Sequence, residues 1–384
     1  MLFFPAAAIH AILSPLVWVA LFGLSLPFSD GIPASQWHAH ELIFGTFSAA
    51  LAGFLTSAMA EWTGTPPRRN RDLIVLLGLW LPGRIIGLVG ADLLSPLTGL
   101  TDFAFFILLF WFVVRALLTR RSTRHASFAV WAGLLAVAEA GIRLSWMQED
   151  YEMSARLLEA ALMVFMVFFA LAVARINIAV LNLALDPSGE TTPYRPHPGR
   201  QNLAAGLVAV YAVAAFVFPY SGVPAYLALA AAVAFLDRQA EWFIGRAVLR
   251  TEVLMLGAAN FFAGAGFALK GLAGLGFGIS NIAAIHTLST VSLGLAVMAV
   301  FTIAGLRHTG RALDLPPAAH LAALLMLMAG LMRVLPELGI GASLLGLHHL
   351  LAALLWSAAF AVWLAGFLPL LLHPLTGDGK DSCG

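Results

Sequence analysis

Long apolar runs separated by short polar connections extend along the whole chain. They lie near 6–27, 36–60, 72–94, 96–119, 125–147, 155–185, 202–219, 223–246, 252–275, 280–306, 316–335 and 342–372. Each is close to the ~20 residues that a helix needs to cross a bilayer core, and too long for a buried strand. The pattern predicts an all-α fold: a polytopic transmembrane helix bundle of about twelve spanning helices. With connections of about ten residues, no room remains for a soluble domain, so residues 1–384 form a single integral-membrane domain. The polar, proline-rich stretch 186–201 joins halves 1–185 and 202–384. The chain opens directly into an apolar helix without a basic leader or a small-residue cleavage motif, so 1–27 reads as a retained first span.

Basic residues in the connections orient this bundle. Arg68, Arg69, Arg71, Arg120, Arg121, Arg124, Arg195, Arg200, Arg246, Arg250, Arg307, Arg311 and Lys380 fall in alternate connections and the tail. The connections on the opposite side carry only Arg156. By the positive-inside rule both termini are cytoplasmic. Composition agrees with a bilayer as the chain's main partner: 61% of residues are hydrophobic and 11% charged, against roughly 25% charged in soluble domains. A net charge of +1 provides no phosphate-tracking face, which excludes nucleic-acid binding. The single cysteine, Cys383, cannot build a disulfide framework, zinc ribbon or iron–sulfur cluster.

Orientation gives each intramembrane polar residue a depth. His38, His40, His286, His348 and His349 all fall in the outer half, as do Arg84, Glu139, Arg143, Glu159, Lys270 and Arg333. Ionisable groups at membrane depth mark functional sites by default, and neutral imidazole is the commonest metal ligand. Helical spacing limits the set. His38 and His40 lie about 200° apart, so both reach one centre only if the start of span two is unwound, and His348 and His349 lie about 100° apart. Glu139 and Arg143 are spaced for an internal ion pair; alternatively Arg84 and Arg143 could hold haem propionates. Asp237, Arg238 and Glu241 read as a structural ion cluster on the cytoplasmic side. His10, His308 and His320 also map to that side, and His125, His197 and His373 read as solvated.

Trp37-His38-Ala39-His40-Glu41-Leu42-Ile43-Phe44-Gly45, followed by Ala52-Gly53-Phe54-Leu55-Thr56, Trp62-Thr63-Gly64 and Gly83-Arg84, resembles the opening signature of the NnrS family. His286-Thr287-Leu288, with Arg307-His308-Thr309-Gly310-Arg311 further on, is similar to the second signature of that family. The resemblance covers nearly the whole chain. It implies a multi-pass protein of the bacterial inner membrane, associated with haem and copper, denitrification and nitrosative stress. Carried over residue by residue, it favours His38, His40, Glu41, Arg84, His286 and His308. The chain departs from the family pattern at Met255-Leu256-Gly257-Ala258, where a histidine is expected, at Ile178-Ala179, and at Ile303.

The expectation is a protein that binds haem b, with copper as a second metal, and that handles or resists nitric oxide or another diatomic ligand with an electron donor as partner. His286 is the preferred iron ligand, with His349 or His348 opposite it or at a second metal. His38 and His40 are the copper ligands, and Glu41 orients a histidine or accepts a proton as the catalytic group. A nitric oxide-metabolising oxidoreductase, a sensor that binds haem without turnover, and a twelve-helix secondary transporter all remain open. Against the transporter, no repeat relates the two halves.

Overall fold

The computed structural model describes residues 2–23, 31–89, 95–121, 123 and 125–375; Arg124, Lys380 and Cys383 lie outside them. Among the described residues there is no strand, and twelve long helical segments follow one another. They are α1 (Phe3–Gly23), α2 (Ala34–Thr63), α3 (Asn70–Val89), α4 (Ser95–Arg120), α5 (Ala126–Met147), α6 (Tyr151–Leu185), α7 (Pro198–Val217), α8 (Val223–Asp237), α9 (Thr251–Gly274), α10 (Asn281–Arg307), α11 (Pro317–Val334) and α12 (Leu347–Leu372). Among the described residues, nine of these segments are long and apolar enough to cross a membrane. The chain is a multi-pass membrane protein, and large apolar side chains such as Ile74, Val137, Val213 and Leu324 cover its outer surface.

Local chemistry sets the ends of these helices. Asp150 caps α6 by accepting a hydrogen bond from the Met153 amide at 2.9 Å. α2 stops at Gly64, whose φ of 59° is the left-handed geometry that favours glycine. Two predicted boundaries move. The run 223–246 is helical only to Asp237, then tightens into 3-10 turns at Arg238–Trp242 and Gly245–Leu249. Here Arg238 is fully buried and pairs with Glu241 at 2.9 Å, while Asp237 turns away to Arg200. The run 342–372 begins its helix at Leu347, because Gly346 has a φ of 90°.

In α2, α6 and α10, 72–78% of the apolar stretch is buried, against 39–56% in the other six candidate spans. These three form the interior, and the rest pack around them. The first and last helices meet: Trp356 Nε1 donates to the Ala11 carbonyl at 3.1 Å, and Ser357 Oγ to that of Ile12 at 2.9 Å. The linker after α6 has its own order. Asp186 accepts hydrogen bonds from the amides and hydroxyls of Ser188 and Thr191, which hold its carboxyl down at about 2.

Both α2 and α10 contain one π-helical stretch, at Glu41–Phe47 and Thr287–Leu293. Each begins directly after a histidine, His40 in one and His286 in the other. π-turns inside α-helices recur at functional sites because they re-aim the side chains beside them.

Candidate functional site

Two polar assemblies occupy the end of the bundle predicted to face outward, on opposite sides of α2. Successive helical residues are about 100° apart, so His38 and His40 leave the helix in nearly opposite directions. The structure sends each to a different assembly, which corrects their expected pairing at one copper.

On one side is a closed ring of buried charges. His40 Nδ1 meets Glu41 Oε1 at 3.3 Å and its Nε2 meets Glu139 Oε2 at 2.8 Å. Arg143 joins Glu139 and Asp102, each at 2.8 Å. Arg84 then joins Asp102 at 2.6 Å and Glu41 at 3.2 Å. His10 adds a spoke, with Nε2 at 3.1 Å from Glu41 and Nδ1 at 2.9 Å from the Thr46 hydroxyl. This changes two expectations and bears on a third. Arg84 and Arg143 are committed to carboxylates, and neither lines the histidine cavity described below, so neither is placed to hold a haem propionate there. Glu41, expected to orient a histidine or accept a proton, bonds two histidines, His40 and His10, and has both oxygens engaged. His10, assigned by depth to the cytoplasmic side, is buried against Glu41 instead.

The ring and the π-turn interlock. Trp80 Nε1 donates to the Gly45 carbonyl at 3.1 Å, and the Ser48 hydroxyl donates to the carbonyls of Phe44 and Gly45. A Cβ on Gly45 would clash with His10 Cε1 and stand 2.9 Å from Arg84 Nη1. Gly45→Ala is therefore expected to push His10 off Glu41 and Thr46, at about 1–3 kcal/mol of stability. Thermal unfolding of the purified variant checks this; an unchanged midpoint would show that His10 is not held in place by this close approach.

On the other side of α2 is a cavity of about 340 Å³ with mostly apolar walls, lined by His38, His286, His349 and Arg333 among Trp18, Phe47, Leu162, Ile285 and Trp356. Its volume is at the lower end for ligand sites. His286 Nδ1 is 2.9 Å from the Ile282 carbonyl. A carbonyl only accepts, so Nδ1 carries the proton and Nε2 is left as the free acceptor, the arrangement that readies a histidine for metal. His38 stacks on Trp18 with ring centroids 4.7 Å apart, and its Nδ1 is buried without a hydrogen-bond partner. Three imidazoles, an apolar surround and one guanidinium fit an imidazole-held metal or haem.

The adjacent histidines divide their tasks. His349 lines the cavity, whereas His348 is buried beside it, with ring centroids 3.9 Å apart. His348 Nδ1 accepts from the Gly346 amide at 3.1 Å, which leaves Nε2–H to donate to Glu337 at 3.2 Å. Arg333 is also 3.1 Å from Glu337, so this carboxylate orients two residues at the cavity wall. Donor atoms of Glu337, His348 and His349, and of His40, Asp102 and Glu139, lie within 4.8 Å of one another. In both groups an arginine already neutralises carboxylate: Arg333 in the first, Arg143 in the second.

With this geometry in view, comparison with known families is decisive: the sequence profile of the NnrS protein family matches residues 2–374. The chain belongs to the NnrS family. Comparison with curated proteins and with solved structures returns no match. In this NnrS-family chain the two signature histidine segments meet at one cavity, through His38 and His286. His308 does not join them. It lies exposed beyond the far end of α10, roughly 33 Å along the helix from His286 at about 1.5 Å per residue. Asp102 and Glu337 are absent from the sequence reading of the site, and His10 was assigned to the other side of the membrane. For Asp102 the available signal was a lone carboxylate inside the apolar run 96–119. His125, expected to be solvated, is buried and stacked on Trp62 at 5.2 Å.

Proposed function

We propose that this NnrS-family protein binds haem b in the histidine cavity, with copper as the other metal its imidazoles suit, and uses it to handle or resist nitric oxide in the bacterial inner membrane. In this reading all twelve helices cross the membrane, both termini are cytoplasmic, and the cavity lies in the periplasmic half. The observation that carries the proposal is the 2.9 Å contact of His286 Nδ1 with the Ile282 carbonyl, which leaves Nε2 as the acceptor at the wall of a cavity that His38 and His349 also line. Bound haem iron or copper supplies the diatomic-ligand and electron-transfer chemistry. The chain's own residues hold and enclose that group. His286, His38 and His349 offer nitrogen donors. Arg333 offers a guanidinium to a carboxylate. Trp18, Phe47, Leu162 and Trp356 keep water away, which strengthens every polar interaction inside.

The test is a visible absorption spectrum and metal analysis of protein purified from membranes, followed by nitric oxide addition to the reduced sample. The expected result is a haem band that shifts with nitric oxide. Consumption of nitric oxide marks an enzyme, and binding without consumption marks a sensor or protective protein. Protein with neither haem nor metal overturns the reading; metal-dependent substrate exchange in proteoliposomes by such protein would establish transport.

A further inference from the structure

A second cavity, of about 360 Å³, opens between α6, α7, α8, α9 and the start of α10. It backs onto the histidine cavity without sharing a lining residue. Leu162 and Ile282 face the histidine side, and their chain neighbours Met163 and Asn281 face this one.

Its polar groups are unevenly matched. Lys270, 8% exposed, places Nζ 2.9 Å from Glu159 Oε1 and 2.9 Å from Asn281 Oδ1. The Tyr211 hydroxyl donates to the same Glu159 oxygen at 3.2 Å. Arg156 also lines the cavity. Its Nε is buried without a hydrogen-bond partner, and its contact with the exposed Glu152 is long, at 3.8 Å. The wall thus holds two cations and one carboxylate, and that carboxylate already receives two donors. The Arg156 Nε–H, a further Lys270 N–H and the Asn281 amide remain in surplus, and the only counter-charge paired with Arg156 among the described residues is the exposed Glu152 at 3.8 Å. A buried donor without an acceptor is costly, and one extra positive charge among surplus donors selects an anion.

We infer that this cavity binds a monovalent organic anion, a carboxylate or phosphodiester whose charged end meets Arg156 and Lys270 and whose apolar body lies against Met163. A free small anion and the phosphodiester headgroup of an anionic lipid share this chemistry.

The full chain, purified in detergent and held at constant ionic strength, is titrated calorimetrically with benzoate and with dimethyl phosphate. Phosphatidylglycerol binding is read by native mass spectrometry. Saturable binding of one molecule per chain is expected, weakened roughly ten- to hundredfold in Arg156→Gln and in Lys270→Gln. The Arg156 side chain is 32% exposed, so Arg156→Gln keeps the fold and decides the matter even if Lys270→Gln does not. Binding of benzoate or dimethyl phosphate identifies a soluble anion as the source, and binding of phosphatidylglycerol alone identifies a lipid; either supports the site. Failure of all three probes to saturate, or unchanged affinity in Arg156→Gln, overturns it. No arm of this test reads a metal or haem, so its outcome is independent of the proposed function.

Discussion

Arg84→Met is expected to destabilise the bundle more than any other single change in the charged ring, by about 3–5 kcal/mol. Arg84 is 2% exposed and is the direct partner of both Glu41 and Asp102. The ring balances only when complete. Glu41, Asp102 and Glu139 supply three negative charges, and Arg84 and Arg143 supply two positive ones. His40 presents both ring nitrogens to carboxylates, and ionised carboxylates only accept, so an imidazolium there closes the sum at zero. Removing Arg84 leaves the ring with one buried negative charge in excess where water is scarce, although Asp102 keeps Arg143 and Glu41 keeps its histidines. The double variant Arg84→Met/Asp102→Asn restores a zero sum, with Glu41 and Glu139 against Arg143 and His40. Chemical or thermal unfolding in detergent is expected to show the double variant more stable than Arg84→Met alone. If the two losses simply add, charge balance is not what holds the ring.

How much of this was legible in the sequence depends on which coordinate a residue needs. Depth was legible. Apolar runs set the helices, and the alternation of arginines placed Glu41, Arg84, Glu139 and Arg143 at one end, where the structure joins them. Azimuth was not. Depth alone could not show that Arg84 and Arg143 turn toward carboxylates while Arg333 faces the histidines, because that depends on which helices are neighbours. His10 was lost for a related reason: it lies in the first half of the first span, and depth alone did not show that Glu41 and Thr46 of the facing helix reach it. The π-turns at Glu41–Phe47 and Thr287–Leu293 have no residue signature in this sequence. At the first of them Trp80, from another helix, bonds the Gly45 carbonyl, a contact that the local sequence does not announce. The 3-10 turns after Asp237 were hidden because the apolar run continues through them. The signature containing His308 matched as sequence, yet a motif match carries no distance, and the length of α10 separates it from His286.

The largest functional effect is expected from His286→Ala: loss of haem absorbance and bound metal, with occupancy falling at least tenfold. Its neighbours grade the assignment. His38→Ala and His349→Ala remove imidazoles that line the same cavity and are expected to lower occupancy or shift the spectrum. His348→Ala removes a group that acts through Glu337 and Arg333, so a smaller shift with the metal retained is expected. His308→Ala, exposed beyond the far end of α10, is expected to leave the spectrum as in the parent. Each purified variant is measured by spectrum and metal content beside its unfolding midpoint, which separates loss of a ligand from loss of the fold. Imidazole added to His286→Ala supplies the missing nitrogen donor without the backbone tether. Recovery of the band there shows ligation, since a purely structural defect would not respond. An unchanged spectrum in His286→Ala removes His286 from the site, and loss in His308→Ala with retention in His286→Ala would move the metal to the other end of α10.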